Sequence, residues 1–431
     1  MRVLLFSLII GLFVLPAGAR YGGGLGTADQ PYLISTPAHL NAISSAPSDW
    51  DKCFKLTANI DMRSVGPAQF NKIGTRQDGP FTGVLDGNYK TISNLHLSFE
   101  GESYVGLFAL VDAAEARIMN VTLLDPNITG EAGRYVGALV GLFSNGTIAN
   151  CHVKGGSIRG LSLVGGLVGE NNDGAITDCT AATTVRGGLR VGGLLGQNTF
   201  GDVTRCQAVG EVLGAPSSST IGGLIGENQG GTVTACWACS NVQGDDRVGG
   251  LIGENIFGLA DRCRADGVVH GNRNVGGLIG QNTAAKTTDC YAVAAVTAVK
   301  LAGGLVGANQ SNSINCDQVY PSRIARCYAA GPVKSADAGG LVAVNFRSNI
   351  ETSFWDIQAT GCATSGGGEG KTASQMYSLA PYTNAGWDFV GESKNGTKDL
   401  WYLPGPADYP RLAWELSLAD FNGDGRVDFR D

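Results

Sequence analysis

The sharpest chemical motif closes the chain: Asp420-Phe421-Asn422-Gly423-Asp424-Gly425-Arg426-Val427-Asp428-Phe429-Arg430-Asp431 follows the pattern DxNxDGxVDxxD. Hard cations such as Ca2+ need several oxygen ligands around one tight turn. This spacing offers side-chain oxygens from Asp420, Asn422 and Asp424, the backbone carbonyl of Arg426, and carboxylates from Asp428 and Asp431. A calcium-binding loop is the expectation, with Asp431 standing where an EF-hand carries a bidentate glutamate.

Catalytic chemistry is thinly supplied. The histidines are His39, His96, His152 and His270; none forms an HExxH pair, and no GxSxG nucleophile motif occurs. The one CxxC, Cys236 to Cys239, falls in a strand-like stretch whose alternation turns the two sulfurs to opposite faces. Glu170, Gln197, Glu227, Glu254 and Gln281 recur at one position, but no lysine or arginine base recurs beside them, so they read as a solvated turn edge. Thr180, Gln207, Trp237, Arg264, Tyr291 and Tyr328 each follow a cysteine. The last four would make a strip of aromatic and cationic side chains suited to sugar rings or peptide segments.

What positions these residues is a repeat. VGGLVGENNDGAITDC (164–179), VGGLLGQNTFGDVTRC (191–206) and IGGLIGENQGGTVTAC (221–236) are variants of one sentence. Its opening residue recurs at Val105, Val136, Val164, Val191, Ile221, Val248, Val275, Ala302 and Ala338, most often at a spacing of 27. Asparagine stands seven residues later from Asn171 to Asn345, and cysteine fifteen later from Cys151 to Cys290. Alanine then follows at two residues past each cysteine, with valine four further on, as in Cys179, Ala181 and Val185. Period-two alternation of this kind marks strands with one buried face.

A unit of three short strands cannot bury its own inner face, whereas stacked units share a continuous core. The expected fold is all-β: a parallel β-solenoid of eight or nine coils, roughly 40 Å long at about 4.8 Å per coil. Cysteine and alanine would fill a narrow core as reduced, buried side chains. The asparagines would bond along the axis as a ladder, and the paired glycines would allow close backbone approach.

The motif VGGLVGEN...G.I.DC.A...V.G resembles the GLUG repeat of bacterial surface and secreted proteins. The preceding segment (GTADQPYLISTPAHLNAI, FKLTANIDM, FTGVLDGNYKTISNLHL) and the following one (FWDIQATGCATSGGGEGKTASQM, AGWDFVGE, YPRLAW) are similar to the segments that flank such repeats. The resemblance implies a solenoid with caps at both ends: residues 20–104 as N-terminal cap, 105–350 as repeats and 351–416 as C-terminal cap. It ties the chain to adhesin-like proteins and to IgA-specific metallopeptidases, although the zinc motif of the latter is missing. Residues 417–431 resemble the first loop of a dockerin module, which implies a cohesin-like partner.

The first 19 residues read as a secretory signal: one arginine, an apolar run from Val3 to Leu15 and a small-x-small site ending at Ala19. No later stretch is apolar enough to cross a bilayer. A net charge of -7 without any basic run excludes nucleic acid as a partner. The sequence therefore points to a secreted or cell-surface, adhesin-like, non-catalytic solenoid that binds a glycan or a surface protein. A polysaccharide-active β-helix enzyme delivered to an assembly by the dockerin-like tail is the alternative.

Overall fold

The structure, a computed structural model, describes residues 20–419 apart from 68, 100, 316 and 317. The expected signal segment 1–19 and the calcium-loop residues Asp420, Asn422, Asp424, Arg426, Asp428 and Asp431 lie outside the described residues. The chain winds into a parallel β-solenoid of about 11 turns, more than the repeat alone suggests. The extra coils come from the N-terminal segment, where Tyr32–Ile34 pairs in parallel with Cys53–Leu56, and that strand in turn with Val84–Ser93.

Each coil keeps the repeat in register. Asn171 pairs with Asn198, Asn198 with Asn228, and Asn228 with Asn255. Ala181, Ala208, Ala238 and Ala265 likewise face one another, as do Val185, Val212, Val242 and Val269. The strands begin later than the sequence suggests. The stretch Gly-Gly-Leu forms a corner, and the strand starts after it, as in Ile225–Gln229, Thr232–Thr234 and Trp237–Gln243.

Corners explain much of the composition. Each coil bends at single residues in the left-handed region, again in register: Asn150, Asp178, Arg205, Ala235, Arg262, Asp289, Arg326 and Thr352. A second such column runs through Tyr104, Tyr135, Leu163, Arg190, Thr220, Arg247, Asn274 and Leu301. The paired glycines serve a different need, close contact. A Cβ on Gly222 would sit 1.9 Å from the Ile225 carbonyl oxygen, and one on Gly223 would sit 1.9 Å from that of Gly250 in the next coil. No larger residue fits either position.

The core changes character along the axis. At the N-terminal end Tyr21, Tyr32, Phe54, Phe81 and Phe108 stack in sequence, with ring centroids 4.6–6.3 Å apart. The helix Pro37–Ser44, capped by Thr36, buries Leu40 and Ile43 against this end. Through the repeats the core loses its aromatic rings and is filled by columns of cysteine, alanine, valine, leucine and isoleucine. Cys151, Cys179, Cys206, Cys236, Cys263, Cys290 and Cys327 are buried and free of disulfides. The Cys206 backbone N–H donates to Cys236 Sγ at 3.3 Å, and that thiol lies 3.2 Å from the Thr234 carbonyl oxygen it donates to. Burial pushes the Cys179, Cys236 and Cys290 thiols well up, so they stay protonated. Cys239, by contrast, is exposed, as alternation requires.

The asparagine ladder is continuous from Asn171 to Asn345, each Nδ2 donating to the next Oδ1 at 2.8–3.0 Å. Most Nδ2 groups also bond the carbonyl three residues on, as Asn228 does with Gly231 at 2.9 Å. Aspartate cannot donate in this way, and glutamine is too long for the same corner.

Candidate binding groove

The residues that follow the cysteines do form one column across the coils, His152, Thr180, Gln207, Trp237, Arg264, Tyr291 and Tyr328, which Phe354 continues after Ser353. The expected open strip is nonetheless half covered. The segment from Met376 to Leu412 packs over Tyr291, Tyr328 and Phe354, forming a second aromatic core with Tyr382, Trp387, Phe389 and Trp401. Tyr291 and Tyr328 stack at 5.0 Å with planes 2° apart, and both are buried. The sequence missed this because the covering segment carries no repeat and stands far away along the chain.

Arg264 is committed as well. Its guanidinium lies 2.9 Å from Glu415 Oε2, 3.2 Å from the Tyr291 hydroxyl and 4.7 Å over the Trp237 ring. Glu415 is buried and accepts further hydrogen bonds from Tyr291 and from the Leu412 N–H, both at 2.9 Å. Burial raises the Glu415 carboxyl, an effect opposed by the Arg264 charge. Arg264, Tyr291 and Tyr328 thus hold the C-terminal segment in place.

Trp237 stands at the border. Where the strip emerges from beneath that segment, a groove of about 260 Å³ opens, lined by His152, Asp178, Thr180, Arg205, Gln207, Ala235, Trp237 and Trp414. Two indoles 177 positions apart in sequence therefore share one groove. The Trp237 Nε1–H is buried and has no acceptor among the described residues. Such a donor is costly unless an incoming oxygen accepts from it.

The rest of the lining is polar but electrically balanced. Arg205 grips Asp178 through two bonds of 2.7 Å, which lowers the Asp178 carboxyl. His152 uses both ring nitrogens, at 2.9 Å from Thr180 Oγ1 and 3.0 Å from Asn150 Oδ1. Burial, with Lys154 nearby, lowers its pKa, so the ring is neutral near pH 7. Asp178 and Arg205 sit at left-handed corners directly before cysteines. Trp414 closes the YPRLAW stretch of the expected C-terminal cap, and nothing in the sequence placed it beside Trp237.

The recurring carboxylates differ from expectation. Glu227 and Glu254 face one another on neighbouring coils, yet both are buried rather than solvated. Arg190 pairs with Glu227 at 2.8 Å and Arg247 with Glu254 at 3.2 Å, while Gln197 and Gln281 each donate an amide N–H to one of them. Arginines at the corner column reach over the strand to neutralise them. Among the described residues, no cluster of three or more metal-ligating side chains forms, and no helix is long and apolar enough to cross a membrane.

Comparison with known proteins agrees with the repeat. The family "The GLUG motif" matches residues 160–186 and 271–297. Halomucin of Haloquadratum walsbyi is 36% identical over 168 residues, which is 37% of this chain but 2% of Halomucin. A protein of Evansella cellulosilytica, provisionally named a Gly-rich membrane protein, is 33% identical over 138 residues, 31% of this chain and 16% of that protein. The chain thus spans a small part of both relatives. A crystal structure of a candidate immunoglobulin A1 protease from Bacteroides ovatus overlays 92% of this chain and 97% of its own, at 16% identity and a TM-score of 0.38. This chain is a parallel β-solenoid that carries the GLUG motif at residues 160–186 and 271–297, with the intervening coils in the same register.

Proposed function

We propose that this chain is an exported, surface-located attachment module that binds a saccharide, without catalysis, in the groove between Trp237 and Trp414. The observation that carries the reading is the buried, unpaired Trp237 indole N–H in a groove that also holds a second tryptophan. Pyranose rings offer apolar C–H faces for indoles and oxygens for that donor, while Thr180 and Gln207 supply further hydrogen-bonding groups. Surface location draws support from the relatives' names and from the signal-like N-terminus. A non-catalytic role draws support from Glu227 and Glu254, which are buried, paired with Arg190 and Arg247, and do not line the groove. The tail residues Asp420 to Asp431 are proposed to bind Ca2+ and to recruit a cohesin-like partner.

Screening the protein against immobilised glycans and immobilised peptides tests the reading. Retention on a saccharide, released by the same sugar in solution, supports it. Retention on peptides alone, or release of reducing sugar from the bound glycan, overturns it.

A further inference from the structure

The sheet face that carries the groove has a second feature that the groove does not use. Arg159 and Arg186 are directly paired residues on neighbouring coils, about 4.8 Å apart along the axis. Both are exposed, and neither guanidinium has a hydrogen-bond or ion-pair partner among the described residues. Like charges placed directly opposite on a sheet destabilise it, and this chain carries a net charge of -7, with carboxylates in excess. Several arginines elsewhere are matched, Arg205 with Asp178, Arg326 with Asp289 and Arg323 with Glu351, while Arg76, Arg134 and Arg347 lie over aromatic rings.

The surroundings keep the pair unmatched. On the same strands Ser157 and Thr184 lie two residues before the arginines, and Leu161 lies two residues after Arg159. Lys154 is a third exposed cation on the His152–Gly165 strand, beside the groove. The carboxylates on the adjoining coils are Glu211, paired in register with Thr184, and Asp125 and Glu131 on the preceding coil, and among the described residues none of them forms an ion pair with either arginine.

We propose that Arg159 and Arg186, with Lys154 between them and the groove, form a site for the anionic groups of an acidic polysaccharide. Guanidinium forks match carboxylate and sulfate oxygens in a bidentate way. Two forks one coil apart would hold successive oxygens of one anionic group, or groups on adjacent sugars. A bound anion also removes the repulsion built into the pair. A polysaccharide is favoured over an acidic peptide because the site lies on an exposed sheet face that continues along its strand into the groove at His152.

The test measures retention of the full chain on polygalacturonate and on heparin, with dextran as neutral control and polyglutamate as peptide control. The expected result is salt-sensitive binding to one or both acidic polysaccharides, weakened at least about tenfold by Arg159→Gln combined with Arg186→Gln. The same variant should melt at or slightly above the wild-type temperature, because a repulsive pair is gone; this separates lost binding from lost folding. Polygalacturonate alone would identify a carboxylate site, and heparin alone a sulfate site. Affinity within about twofold of wild type, or tighter binding to polyglutamate, overturns the proposal. Trp237→Ala run in parallel distinguishes the sites, since failure of the groove leaves acidic binding intact.

Discussion

The indole N–H of Trp414 donates to the backbone carbonyl of Arg262 at 2.9 Å, joining positions 152 residues apart. Arg262 is a left-handed corner residue, and the same column anchors two more tryptophans. Trp401 Nε1 bonds the Asp289 carboxylate at 3.2 Å, and Trp387 Nε1 bonds the Thr352 carbonyl at 2.9 Å. The C-terminal segment is thus fastened, tryptophan by tryptophan, along one edge of the solenoid. That fastening places Trp414 beside the groove.

The ion pair beneath this segment should govern its local opening. Glu415→Gln leaves Arg264 with the weaker partner Asp266, 3.7 Å away. The expected cost is about 3 kcal/mol, the low end of the range for a broken buried pair. Hydrogen exchange should speed up across residues 401–416 while the coils around Asn228 stay protected. Uniform acceleration over the whole chain would contradict a segment that opens on its own.

Asn228→Ala interrupts the ladder at its middle. The Asn198 amide loses its acceptor and the Asn255 carbonyl its donor, both in a buried corner. Unsatisfied buried groups cost about 1–3 kcal/mol each, so with two of them urea unfolding should show a loss of about 2–6 kcal/mol. Asn88→Ala, at a half-buried corner outside the ladder with its bond to Leu56 O, should cost less.

Gly223→Ala should abolish cooperative folding, because its Cβ would lie 1.9 Å from the Gly250 carbonyl oxygen and rigid backbone cannot yield. Gly66→Ala is the control, since the nearest atom there is 3.6 Å away in a flexible side chain. Circular dichroism melts of both variants separate close packing from a general intolerance of alanine.

Acid should stabilise the solenoid over a defined window. Burial raises the Glu170 and Glu254 carboxyls above the ordinary value of 4.5, against the opposing influence of Arg190 and Arg247. The folded chain then holds these protons more tightly than the unfolded chain. Their contribution is fully present below the ordinary value and is lost as pH rises through the raised ones. Asp178 and Glu351, lowered by hydrogen bonds from Arg205 and Arg323, lose stability only at still lower pH, so they do not cancel the effect. Glu170→Gln should therefore raise the melting temperature near pH 8 and leave it unchanged near pH 4. An equal shift at both values would contradict the assignment.

The repeat made the solenoid legible because register converts sequence columns directly into neighbours: the asparagines, cysteines, alanines and valines stack as their spacing requires. It could not reveal that Arg190 folds back over Glu227, since a left-handed corner turns its side chain toward the adjoining strand. Nor could it reveal the covering of Tyr291 and Tyr328, which depends on tryptophans outside the periodic region. Trp237 was visible as one member of the strip with Arg264, Tyr291 and Tyr328. Its groove became visible only once Trp414 was placed beside it.

Affinity of the retained saccharide for wild type and for Trp237→Ala, measured by isothermal titration on chains with matching melting temperatures, tests the central claim most directly. Loss of an aromatic face and its N–H donor should weaken binding at least about tenfold, and Trp414→Ala should weaken it in the same direction. Affinities within about twofold of wild type for both variants would contradict a saccharide site in this groove.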